Sequence, residues 1–116
     1  MQLNNQQPLF MKTKFNIALI GGRGYVGQEI IHILNQHPNF ELCKAFSRTA
    51  ADTEVDGYNQ HPTLKYSLLE DSNLDLDNID IAILALSNGD SNKYVTEIDL
   101  KYPEMMEKYK WICRVF

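Results

Sequence analysis

Gly22-Arg23-Gly24-Tyr25-Val26-Gly27 satisfies the spacing G-x-G-x-x-G, and Gly21 extends it to G-x-x-G-x-x-G. Glycines at these positions let the chain turn tightly and bring backbone N–H groups against a pyrophosphate. The helix that follows adds the positive end of its dipole. Alone the pattern is weak; its context gives it weight. Lys14 to Ile20 reads as a short apolar strand that runs straight into the glycines, and Val26, Ile30, Ile31, Ile33 and Leu34 then recur at helical spacing. The bland alternative is a tight strand-to-helix turn that binds nothing.

A dinucleotide site is read next at the far end of the second strand, where an Asp or Glu takes the ribose hydroxyls of NAD. Roughly 20 residues beyond Gly27 the chain carries Ser47-Arg48 instead. Ser47 can donate a hydroxyl and Arg48 a two-pronged guanidinium to a 2′-phosphate, which favours NADP. Glu41 opens that strand rather than closing it, so it points away from the ribose end. The alternative for Arg48 is a solvated loop cation. A third element is Ala85-Leu86-Ser87-Asn88-Gly89, at the carboxyl end of the strongest apolar run. In an open α/β sheet this loop and the glycine loop face one crevice. Leu86, Asn88 and Gly89 are thus placed on the ribose and nicotinamide side; a plain helix-entry turn is the alternative.

Other reactive residue types are blander. His32, His37 and His61 lack a metal-ligand spacing. Cys43 and Cys113 each fall inside an expected strand and read as buried, unactivated thiols. Met105 and Met106 read as core filler.

These residues need elements to hold them. His37-Pro38 ends the first helix, and Phe40–Ser47 is a second strand in which Phe40, Leu42 and the Lys44 stem alternate with Glu41, Cys43 and Ala45. Strand, glycine turn, helix and strand make a βαβ unit, hence parallel strands and a right-handed crossover. Residues 48–63 are polar, 64–69 form a weak edge strand, and 70–80, with five carboxylates, form a solvated loop. Residues 79–86 are the buried strand. Ser91 is placed as the N-cap of a helix burying Tyr94, Val95, Ile98 and Tyr102, with Lys93–Glu97 and Glu97–Lys101 pairs on its exposed side. Pro103 stops it, a turn at Met105, Met106 and Tyr109 follows, and Trp111 to Phe116 is a last strand. The fold class is α/β, a parallel sheet with helices on both faces: residues 1–13 are a loose tail and 14–116 the nucleotide-binding domain.

The chain's 116 residues leave no room for a cofactor domain plus a complete substrate domain. Residues 1–50 carry five basic and two acidic side chains, and residues 51–116 six and thirteen, giving a net charge of −4. An acidic second half excludes a nucleic-acid surface, which needs a basic stripe. No apolar run approaches the roughly 18 residues of a membrane span. The first ten residues hold no Arg or Lys, which fits neither a secretory signal nor a transit peptide, and Met11 is an alternative start. With two unpaired cysteines, a reducing, cytoplasmic location is expected, with mitochondria as the alternative. A homo-oligomer stays open.

Taken together, the motifs resemble N-acetyl-γ-glutamyl-phosphate reductase, the arginine-pathway member of the semialdehyde dehydrogenase group. The family loop G-A/G-x-G-Y-x-G-x-E is matched by Gly21, Gly22, Gly24, Tyr25, Gly27 and Glu29. His37-Pro38, Glu41-Leu42, Ser47-Arg48 and His61-Pro62 with Leu64 follow in order. The family's A-L-P-N-G stands as Ala85 to Gly89, with Ser87 replacing proline, and Ile98-Asp99 is also similar. The likeness covers residues 15–100. It implies a Rossmann-like domain, incomplete because the substrate domain is absent. Its NADP site would comprise Gly21, Gly22, Arg23, Gly24, Tyr25, Val26, Gly27, Ser47, Arg48, Leu86, Asn88 and Gly89. In the family NADPH reduces an acyl phosphate, held as a thioester on the cysteine of a Gly-Cys-Tyr-Ala motif, to an aldehyde. Neither that motif nor the assisting histidine's domain is in this chain, so activity of the chain alone is not expected. The alternatives are a non-catalytic NADP-binding or interaction module, or a truncated inactive product. An aspartate-semialdehyde dehydrogenase relationship suits Tyr25 and Ser47-Arg48 less well.

Overall fold

The computed structural model describes residues 14–22, 24–70, 74–86 and 90–103, and the backbone of 111–114. The 1–13 tail, Arg23, Ser87, Asn88, Gly89 and the turn at 105–109 lie outside the described residues, as does the Cys113 side chain.

The apolar run before the glycines forms β1 (Phe15–Ile20), and α1 (Tyr25–Asn35) follows directly. Then come β2 (Phe40–Ser47), β3 (Ser67–Leu68), β4 (Ile81–Leu84), α2 (Ser91–Lys101) and β5 (Trp111–Arg114). The strands form one sheet in the order β3-β2-β1-β4-β5, every neighbouring pair parallel. The chain winds outward from β1 through β2 to β3, then crosses back to lay β4 on the other side of β1. The order therefore reverses between β1 and β4, and a crevice opens at their carboxyl ends.

Alternation along β1 feeds two cores. Ile17 and Leu19 pack with Ile31 and Leu34 of α1 and with Leu42. Ala18 and Ile20 face the other way, against Ala82 and Leu84 of β4, Tyr94 and Ile98 of α2 and its C-cap Tyr102. Helices thus cover both faces, and β1 is buried on both sides, as its unbroken apolar run implied. Among the described residues no helix is long and apolar enough to cross a membrane.

The structure departs from the sequence reading at six places. The alternation expected along β2 breaks, because the register slips from Ile17 opposite Leu42 to Ala18 opposite Lys44. This extra residue, a β-bulge at Cys43, puts Leu42 and Ala45 in one core and Phe46 in the other. Residues 70–80 are not simply solvated: Leu74, Leu76 and Ile79 are buried, and the buried Asp80 carboxylate accepts from Asn16 N–H at 2.8 Å. The buried strand is shorter than the apolar run, since Ile79 and Asp80 precede its paired residues. Ser91 is not the N-cap; Asp90 is, and Ser91 is the buried first residue of α2. Glu97 does not form the expected exposed pairs with Lys93 and Lys101. The Leu74 loop lies across α2, so Glu97 Oε2 accepts from Leu74 N–H at 3.3 Å and Lys101 Nζ donates to Leu74 O at 3.0 Å. On α1, Ile33 stands exposed while Ile31 and Leu34 are buried.

Candidate functional site

The glycine turn is built from β1 outward. Gly21 has φ +88°, and a Cβ there would stand 2.8 Å from Ala85 O and 2.5 Å from Leu86 Cδ2. Both the left-handed backbone and the close approach of the β4 loop require glycine. Gly21 N–H donates to Phe46 O at 2.9 Å, tying the turn to the end of β2. Gly22 is buried, and its carbonyl accepts from Gln28 Nε2 at 3.2 Å and from the Tyr66 hydroxyl at 3.4 Å. At Gly27 a Cβ would meet the Gly22 backbone at 2.6 Å, so this glycine lets α1 close onto the turn.

Gly24 differs. Its backbone is ordinary, with φ −74° and ψ 177°, and a Cβ there would find nothing within 4 Å. The fold therefore does not require glycine here. Gly24 is the N-cap of α1, no side chain caps the helix, and no acidic residue occupies its first turn. Open space above an uncapped helix N-terminus fits a pyrophosphate, whose charge the amides and dipole favour.

A cleft of about 210 Å³ joins these parts at the switch point: Gly21 and Gly24 on one side, Ser47 at the end of β2 with Arg48 and Thr49 beyond it, Leu69 after β3, and Ala85, Leu86 and Asp90 after β4. Five expected site residues, Gly21, Gly24, Ser47, Arg48 and Leu86, thus converge on one space. Gly22 and Gly27 build the turn without lining the cleft. Val26 is half-buried, and Tyr25, the first residue of α1, is 91% exposed and outside the lining. A larger cavity of about 470 Å³ runs along β2 and β3, but its Lys44 is already paired with Asp75 at 3.2 Å. No glycine turn or helix start opens on it.

Ser47 is buried, and its Oγ accepts from Thr49 N–H at 3.2 Å and Ala50 N–H at 3.1 Å. These bonds fold the chain sharply after β2 and leave the hydroxyl proton available to a ligand. Arg48, though partly exposed, has protein partners: its Nη2 donates to the Tyr94 hydroxyl at 3.2 Å, and its Nη1 lies 4.0 Å from Asp90 Oδ2. Sequence reasoning missed Asp90, Thr49 and Leu69. Asp90 had a signal, as the first acid after the Asn88-Gly89 turn.

The remaining candidates lie elsewhere. His61 Nε2 pairs with Glu41 Oε2, and Lys14 Nζ approaches the other Glu41 oxygen at 3.9 Å, at the amino end of the sheet. Among the described residues no cluster of His, Cys, Asp or Glu could hold a metal. Burial, followed by the nearby Glu41 carboxylate, pushes the Cys43 thiol up. That is the reverse of what a nucleophile needs.

The pattern of the family described as "Semialdehyde dehydrogenase, NAD binding domain" matches residues 16–105. The mitochondrial protein arg-6 of Neurospora crassa is 34% identical over 96 residues, covering 80% of this chain and 11% of that protein. N-acetyl-γ-glutamyl-phosphate reductase of Xanthomonas oryzae is 33% identical over 92 residues, covering 78% of this chain and 29% of the reductase. This chain thus spans less than a third of either relative. Among solved structures, aspartate semialdehyde dehydrogenase with NADP from Candida albicans superposes with a TM-score of 0.58 at 16% identity, over 73% of this chain and 26% of that one. This last likeness supports the fold.

Proposed function

Because the chain belongs to the semialdehyde dehydrogenase NAD-binding domain family, we propose that it is an NADP-binding domain of the kind found in N-acetyl-γ-glutamyl-phosphate reductase. The observation that carries the reading is the convergence of Gly21, Gly24, Ser47 and Arg48 on one cleft at the switch point, with no acid closing β2. The α1 amides and Gly24 receive the pyrophosphate, and the Ser47 hydroxyl and Arg48 guanidinium receive the adenosine 2′-phosphate. Leu86 lines the other wall, where Asn88 and Gly89 follow in sequence, and Arg23 follows Gly22 at the phosphate end. The cofactor supplies hydride when bound; the chain's own residues bind and orient it. Whole-protein activity, NADPH-dependent reduction of an acyl phosphate to an aldehyde, is proposed only for this domain joined to a substrate domain. Cytoplasm and mitochondria are both compatible with the reading, since a mitochondrial protein is among the relatives.

Calorimetric titration of NADP⁺ and NAD⁺ tests the assignment. A charge-assisted contact is worth about 1.5–3 kcal/mol, or roughly 10- to 100-fold in affinity. The side chain of Arg48 is 44% exposed, so the lower end of that range is expected. NADP⁺ should bind about tenfold tighter than NAD⁺, and Arg48→Ala should erase the difference. Equal affinities in the parent, or a preference that survives Arg48→Ala, would overturn the assignment.

A further inference from the structure

Arg48 turns the fork of its guanidinium toward the start of α2. Nη2 donates to the Tyr94 hydroxyl at 3.2 Å, Nη1 lies 4.0 Å from Asp90 Oδ2, and Cζ sits 5.9 Å from the centre of the Tyr94 ring. Tyr94 is fully buried, so packing fixes where its hydroxyl stands. A phosphate monoester grips arginine through this same pair of terminal nitrogens. The edge that would hold a 2′-phosphate is thus the edge engaged by Asp90 and Tyr94.

Building on the reading that Arg48 meets the 2′-phosphate, we propose that Asp90 is a specificity-determining residue that narrows the preference for phosphorylated over unphosphorylated dinucleotide. Its carboxylate and the phosphate are both anions in one cleft, and they compete for one cation. A ribose 2′-hydroxyl carries no charge and enters that competition far more weakly. Asp90 therefore taxes the binding of a 2′-phosphate selectively. Tyr94 is neutral and acts differently: its hydroxyl keeps the arginine arm drawn along the cleft wall. The Arg48 and Asp90 side chains are 44% and 51% exposed, so solvent and salt screen the effect.

The test measures dissociation constants of NADP⁺ and NAD⁺ for the full 116-residue chain and for Asp90→Asn, Asp90→Ser, Asp90→Glu and Arg48→Ala. The Asp90 side chain makes no capping hydrogen bond, and serine suits an N-cap position about as well as aspartate, so Asp90→Ser removes the charge without disturbing the helix start. Removing the charge should raise the ratio Kd(NAD⁺)/Kd(NADP⁺) by about three- to tenfold at low salt. The gain should fade near roughly 0.5 M salt, vanish in the Arg48→Ala background and be absent in Asp90→Glu. An unchanged ratio in both neutral variants, or a gain that persists without Arg48, overturns the inference. If Arg48→Ala erases the preference while neutralising Asp90 does nothing, only this inference fails. If Arg48→Ala leaves the ratio intact, or the parent binds neither nucleotide, the underlying reading fails and takes the inference with it.

Discussion

Three glycines of one turn should respond to alanine in opposite ways, because each is glycine for a different reason. At Gly27 a methyl group would stand 2.6 Å from the Gly22 carbonyl carbon and oxygen, and backbone cannot swing aside. Overpacking of this kind costs about 1–3 kcal/mol, and the contact is tight enough for the upper end. Alanine returns about 1 kcal/mol through its better helix propensity. The net loss at Gly27 is then about 2 kcal/mol. At Gly21 a φ of +88° adds the left-handed penalty to a 2.8 Å contact with Ala85 O. That sums to about 3 kcal/mol. Gly24→Ala meets nothing within 4 Å and loses only a modest N-cap preference, below about 1 kcal/mol. Gly24, however, lines the cleft where the pyrophosphate is proposed to lie. At roughly 4 °C per kcal/mol, Gly27→Ala and Gly21→Ala should melt about 8–12 °C below the parent. Gly24→Ala should melt within about 4 °C of it yet bind NADP⁺ at least tenfold more weakly. Thermal unfolding by circular dichroism and calorimetric titration on the same preparations give both readouts. A Gly24→Ala chain that binds like the parent would show the turn to be only a turn. A Gly27→Ala chain as stable as the parent would refute the packing argument.

Other expectations follow from single contacts. Tyr58 is buried and its hydroxyl accepts from Leu42 N–H at 2.8 Å, beside the bulge. Tyr58→Phe leaves that buried amide unpaired and should cost about 1–3 kcal/mol in urea unfolding; an unchanged midpoint would mean that another acceptor takes over. Cys43, raised by burial and then by Glu41, carries less thiolate at any pH below its titration. In a Cys113→Ser background it should react with iodoacetamide at pH 8 more slowly than a free thiol, and a faster rate would contradict its assignment as unactivated. The chain alone should not oxidise NADPH with N-acetyl-γ-glutamyl phosphate, because covalent acyl transfer needs an activated thiolate beside a base. Turnover abolished by Cys113→Ser would place the nucleophile there.

The order of elements was legible because it rests on local signals. An unbroken apolar run ending at Gly21 marks a strand buried on both faces. The change to helical spacing after Gly27 marks the helix, and their succession commits the sheet to parallel pairing, with the candidate cleft at the carboxyl ends. Counting along that frame put Ser47-Arg48 at the end of β2, beside the cleft that Gly21 and Gly24 line. What the sequence could not carry depends on which distant segments meet. The bulge at Cys43 exists because β2 must serve two cores at once, and no local pattern encodes that register. Leu74, Leu76 and Ile79 look like apolar residues stranded among carboxylates until α2 supplies the surface they bury against. Gly21, Gly24 and Gly27 look equivalent in the motif. Only the approach of Ala85 and the packing of α1 on Gly22 separate the two that folding requires from the one it does not. That Arg48 meets Asp90 was not legible either, although Asp90 itself had a local signal, since the two lie 42 residues apart and meet only because β4 docks beside β1. Local periodicity determined the elements, and long-range packing decided which of their side chains share a cleft.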